Sequence, residues 1–143
     1  MNKFSAAILA LSLLAGSPVP ALAQDPIPSE SLSPDERAQV IQQYKKRPKC
    51  ELSKLMYLKD LLRKSGFMVV YNGKTYDLNV ISPLVTTYVR MNYKRENAGD
   101  WIAKHAYRSL SKGQIIYLRD PQGKMMVLKD VLLKELRALP SIA

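Results

Sequence analysis

The chain has 143 residues, with 22 Lys and Arg against 12 Asp and Glu, one Cys and one His, for a net charge of +10. A single Cys excludes an internal disulfide, and one Cys with one His excludes a dedicated zinc or copper site, which needs several such ligands to converge. The positive balance favours polyanionic partners, because summed charge raises their local concentration and speeds encounter.

The N-terminus reads as a cleavable export signal. Lys3 supplies the positive start, Phe4 to Ala15 is apolar, Gly16, Pro18 and Pro20 break it, and Ala21-Leu22-Ala23 places small residues where a signal peptidase reads. The apolar run of 12 residues is shorter than the roughly 20 that a spanning helix needs. Residues 1–23 are therefore expected to be removed, which discards Lys3 and leaves 21 basic against 12 acidic residues, or +9. No apolar segment beyond Ala23 is long enough to span a membrane, so the expected address is periplasmic or secreted. Residues 24–32 (QDPIPSESL) hold two prolines and no apolar periodicity, as a flexible leader would. Residues 33–143 are the size of one domain.

Ser33-Pro34-Asp35-Glu36 has the form of a capping box with Pro in the first turn. It predicts a helix to about Lys46, ending before Pro48 with cations at its carboxyl end. A second helix, Glu51 to Lys64, places Leu52, Leu55, Met56, Leu58, Leu61 and Leu62 on one face and stops at Gly66. Phe67 to Tyr71, Asn72-Gly73 and Lys74 to Leu78 form a hairpin signature, since both turn positions need positive φ. Ser82-Pro83 reads as the start of a helix to about Arg95. Asn97-Ala98-Gly99 breaks it, and Asp100 caps a shorter helix from Trp101 to Ser109. Gln114 to Arg119, the turn Asp120-Pro121-Gln122-Gly123 and Lys124 to Leu128 make a second hairpin. A last helix runs from Lys129 or Asp130 to Leu139. The expected fold class is α+β: two hairpins merging into a small antiparallel sheet packed with four to five helices.

Several of these segments share an order with known sequences. Tyr71-Asn72-Gly73-Lys74-x-Tyr76, Tyr88-Val89-Arg90-Met91-Asn92-Tyr93, Asp100-Trp101-Ile102 and Ser109-x-Ser111-Lys112-Gly113 lead into Tyr117-Leu118-Arg119-Asp120-Pro121. In them, residues 54–139 resemble a bacterial family of small exported proteins catalogued as a domain of unknown function. The resemblance implies the fold and an envelope address, and no chemistry. That family has His where Tyr88 stands and often Lys at Asn92, so any proton transfer by that His would be missing here.

Catalytic candidates are few. His105 could act with Asp100 or Cys50 in a small hydrolase or transferase of unrecognised class, or it is a surface or capping residue. Cys50 is either a half-buried inert thiol beside Leu52 and Leu55 or the site of an intermolecular bridge. Ser109-Leu110-Ser111-Lys112 has the bare S-x-x-K spacing without the companion motifs, and each domain acid has an ordinary role, with Asp60 placed to pair with Lys64. No cofactor motif is present. Lys45, Lys46, Arg47 and Lys49, together with Arg90, Lys94 and Arg95, form the candidate binding surface. Its expected partner is an anionic envelope component or an acidic protein, with nucleic acid relevant only outside the cell. Tyr71, Tyr76, Tyr93 and Tyr117 are candidates for a stacking platform on one side of the sheet.

Overall fold

The computed structural model describes residues 27–139. The expected signal segment and its cleavage site at Ala23 lie outside the described residues.

Local chemistry sets the first elements where the sequence puts them. The Ser33 hydroxyl accepts from the Glu36 amide at 3.2 Å while the Glu36 carboxylate accepts from the Ser33 amide at 3.1 Å. This box opens α1 (Pro34–Lys45). The second helix, α2 (Glu51–Ser65), ends on Gly66, whose φ of 79° suits a residue without a side chain. Asn72 and Gly73 have φ of 52° and 82° and join β1 (Met68–Tyr71) to β2 (Lys74–Asp77), with Tyr71 opposite Lys74.

The boundaries of the next two helices differ from expectation at both ends. The third helix, α3 (Leu78–Asn92), starts directly after β2 rather than at Ser82-Pro83, because the Asp77 carboxylate caps it by accepting from the Asn79 amide at 2.8 Å. Pro83 lies inside this helix and removes only the amide that would have reached the Asn79 carbonyl. The helix stops at Asn92, short of Arg95, whose φ is 66°. Helix α4 (Ala98–His105) is capped by Asn97, which accepts from the Asp100 amide at 3.0 Å, so Asp100 lies in the first turn rather than at the cap. It ends before Ser109, whose buried hydroxyl accepts from the Lys112 and Gln114 amides at 3.3 and 3.2 Å and orders the following loop.

The second hairpin pairs β3 (Tyr117–Arg119) with β4 (Met125–Val127), and α5 (Leu128–Ala138) follows. The Asp120 carboxylate closes the turn by accepting from the Gln122 and Lys124 amides at 3.0 and 2.8 Å. The two hairpins join through β1 and β3 into one four-stranded antiparallel sheet, ordered β2-β1-β3-β4. With five α-helices among the described residues, the fold is α+β. Val69 pairs with Leu118 and Leu118 with Met126, which puts these three side chains on one sheet face, in the core with Leu58, Leu61, Ile102 and Leu132.

Residues 27–32, expected to be flexible, are docked instead. Pro28–Ser31 forms a 3-10 turn with Pro28 and Leu32 buried. The Ser29 amide donates to the Glu135 carboxylate at 2.6 Å, and the Arg37 guanidinium donates to the Ser29 carbonyl. A proline-rich stretch without periodicity can still be held by its ends, which composition does not reveal. No helix among the described residues is long and apolar enough to cross a membrane.

Candidate functional site

Strand alternation places Val69 and Tyr71 on one face of β1, and register brings Tyr76 across from Val69 on the same face. Helix α3 lies beside them and presents Ile81, Val85 and Tyr88, four and three residues apart on one side. Helix α4 adds Trp101 and His105, one turn apart, and α2 supplies Leu55, Leu58 and Leu62. Together these walls enclose a groove of about 470 Å³. Two leucines at its edge stand in solvent, Leu84 at 71% and Leu110 at 77% exposure.

One polar cluster interrupts the apolar wall. The Tyr88 hydroxyl and His105 Nδ1 are 3.1 Å apart, His105 stacks on Trp101 with ring centroids at 4.6 Å and 27° between planes, and Tyr88 meets Trp101 edge-on. The trio is fixed from behind: Trp101 Nε1 donates to the Asn92 carbonyl at 3.3 Å, and Asn92 Nδ2 donates to the Tyr88 carbonyl at 2.9 Å. Burial holds the His105 pKa below its usual value, with the Lys104 and Lys94 charges acting the same way and Glu96 against them. Burial also raises the Tyr88 pKa, helped by Tyr71. Both groups are therefore uncharged at neutral pH.

The charged groups of the lining are Lys59 and Arg108, and no carboxylate lines the groove. Lys59 Nζ donates to the Thr86 hydroxyl at 2.7 Å and lies 3.6 Å from Asp60. Arg108 is exposed, donates one N–H to the Gly113 carbonyl at 3.0 Å and covers the Tyr107 ring.

No family model, no curated protein and no solved structure matches this chain.

Neither of the two pairings considered for His105, with Asp100 or with Cys50, is a contact. The hydrogen-bond, ring and electrostatic partners of His105 include neither Asp100 nor Cys50. Asp100 is exposed and lies five residues before His105 on α4, about 140° away around the helix axis. Cys50 is exposed rather than half-buried, at the start of α2, where hydrogen bonds from Ser53 lower its pKa. Among the described residues no group of His, Cys, Asp and Glu is arranged to hold a metal ion. Ser109 is occupied in its loop, so the S-x-x-K spacing is structural.

The candidate basic residues divide. Lys45, Lys46 and Lys49 are exposed at the α1–α2 corner, whereas Arg47 turns inward and donates to Asp60 at 2.7 Å. Asp60 was expected to pair with Lys64, which instead donates to Gln39 at 3.2 Å. Arg90, Lys94 and Arg95 are exposed, but they do not share a helix face: α3 ends at Asn92, and the last two lie in the loop beyond it. That loop is tied to the start of α2, since the Ala98 amide donates to the Glu51 carboxylate at 2.8 Å. Tyr93 accordingly feels the charges of Cys50, Glu51 and Arg95, with its pKa raised first by burial.

Two of the four candidate tyrosines, Tyr71 and Tyr76, line the groove. Tyr117 pairs with Val70 and Val127 on the opposite sheet face, and Tyr93 follows α3. Tyr88, Lys59 and Arg108 were missed. The spacing of Ile81, Val85 and Tyr88 was the available signal, and the apparent helix start at Ser82-Pro83 concealed it.

Proposed function

We propose that this protein is exported and serves as a non-enzymatic envelope module that binds an anionic component or an acidic protein. Its contact surface is the end of the molecule bearing Lys45, Lys46, Lys49, Lys94 and Arg95. The observation that carries this reading is the bond from the Ala98 amide to Glu51, which holds the start of α4, just past the 94–96 loop, to the first turn of α2, next to the α1–α2 corner. Tyr93, next to Lys94, feels the charges of Cys50 and Glu51, so on this reading two basic segments distant in sequence both adjoin the start of α2 and their fields add. Arg47 contributes little, because Asp60 already matches its charge. His105 supports a non-enzymatic reading, since it meets the Tyr88 hydroxyl and the Trp101 ring and no carboxylate or thiol is hydrogen-bonded to it.

The test is retention on a heparin column. The protein should be held at about 0.15 M salt, and replacing Lys45, Lys46, Lys49, Lys94 and Arg95 by Gln should lower the eluting salt in steps. Flow-through at low salt, or elution that ignores the substitutions, defeats the proposal. Export has its own check, because protein from the envelope fraction should begin at Gln24 by mass spectrometry. An intact Met1 on cytosolic protein would point to nucleic acids instead.

A further inference from the structure

The groove is lined by none of the basic residues of that surface and calls for a different ligand. We infer that it is a binding site for a single-chain anionic amphiphile, a fatty carboxylate whose chain lies along Leu58, Ile81 and Val85 and whose head meets Arg108 at the mouth. This inference stands independently of the polyanion surface.

Size is the first support. A volume of about 470 Å³ falls within the roughly 300–1,000 Å³ of small-molecule sites. At about 30 Å³ per heavy atom, a water's share of the liquid, it admits about fifteen atoms, which is one acyl chain and not two. The second support is the exposed apolar rim. Leu84 on α3 and Leu110 on the loop after α4 flank the opening with their side chains in water, and a chain laid between them would cover both.

Charge selects the head group. The lining carries two cations and no carboxylate. Lys59 is already engaged by Thr86 and Asp60, whereas Arg108 has N–H groups left beyond the one given to Gly113. A planar guanidinium at the mouth suits a carboxylate. The hydroxyls of Tyr71 and Tyr76, with the neutral Tyr88 and His105 pair, make that wall compatible with an uncharged chain and its bound water. A peptide fits poorly, because its regular row of amides and carbonyls would face mostly leucine and valine.

Trp101 is the only tryptophan and lines the groove, so intrinsic fluorescence reports occupancy directly. The purified protein would be titrated, below the micelle threshold, with dodecanoate, dodecanol, dodecyltrimethylammonium and acetate. Dodecanoate and dodecanol should give saturable changes and acetate none, with the ammonium about tenfold weaker than the carboxylate. Arg108→Gln should weaken dodecanoate about two- to fivefold, the range of an exposed ion pair, and leave dodecanol unchanged. Leu84→Asp, on an exposed position that folding does not need, should weaken both chains and the carboxylate more. Absence of a saturable signal with either chain overturns the inference, as does an ammonium that binds as tightly as the carboxylate. The Gln substitutions at Lys45, Lys46 and Lys49, none of which lines the groove, should leave these titrations unchanged, so the two proposals can fail separately.

Discussion

The side of the domain built by α1, α2 and α5 is closed over a buried carboxylate, whereas the side built by α3, α4 and the first hairpin opens into a groove. On the closed side Glu135 is 2% exposed, Tyr44 packs on Tyr57 with ring centroids at 5.3 Å, and the 28–31 turn covers the seam. Burial, with the Glu135 charge adding to it, pushes the Tyr57 pKa up to about 12. On the open side Leu84 and Leu110 remain in water, and the polar cluster that interrupts the apolar wall is the neutral Tyr88 and His105 pair. The contrast separates two tasks. Stability is concentrated where side chains interlock, which leaves the other half free to present surface that a ligand can cover.

Truncation should give the largest difference between the halves. Leu61, 1% exposed on the buried face of α2, should cost about 2–5 kcal/mol when replaced by Ala. Leu84→Ala should change stability by no more than about 0.5 kcal/mol. Urea unfolding measures both, and a comparable loss at Leu84 would show that the groove wall holds the fold together.

Glu135 gives a subtler handle on the closed side. Burial raises its folded pKa above the usual 4.5, against the hydrogen bonds from Ser29. The folded state therefore keeps the proton to higher pH than the unfolded chain does. The resulting stability is present below pH 4.5 and is lost as pH rises through the folded pKa. Glu135→Gln keeps an acceptor for the Ser29 amide and has no proton to lose, so its Tm should hold at pH values where the wild-type Tm declines. Superimposable Tm profiles between pH 4 and 8 would disprove the assignment. The hairpin turn comes next, since Gly73 has φ of 82° and any side chain there is strained. Gly73→Ala should cost about 1 kcal/mol, seen as a lower urea midpoint with unchanged slope.

The sequence announces the elements that are decided locally. The Ser33 to Glu36 box, the Gly66 stop and the Asn72-Gly73 turn each depend on residues within a few positions of one another, and each stands where spacing put it. Misplaced boundaries came from rival local signals: Ser82-Pro83 and Asp100 look like caps, yet Asp77 and Asn97 lie nearer the preceding elements and take the free amides first. The groove was not legible, because it needs the β1–β2 register, the rotation of α3 and the approach of α4 at once. Arg47 and Asp60 show the same limit for charge. A basic run predicts a basic surface, but which member turns inward depends on an acid 13 residues away on the next helix.

His105 offers the finest test of the open side, with a sign opposite to that of Glu135. Its folded pKa lies below the usual 6.5 because burial disfavours the cation, and Lys104 and Lys94 repel it more than Glu96 attracts it. The unfolded chain therefore takes up a proton first as pH falls. Stability should decline from about pH 6.5 downward until the folded pKa is passed. His105→Gln should flatten that decline while leaving intact the loss that Glu135 causes as pH rises from 4.5. The stacked Trp101 gives a second readout, since a cation forming 4.6 Å from its ring centroid should quench it. The quenching midpoint should lie below 6.5 in the folded protein and move lower still when an alkyl chain fills the groove and removes water from the imidazole. A midpoint at or above 6.5 would mean that His105 is solvated and the groove is shallower than its walls imply.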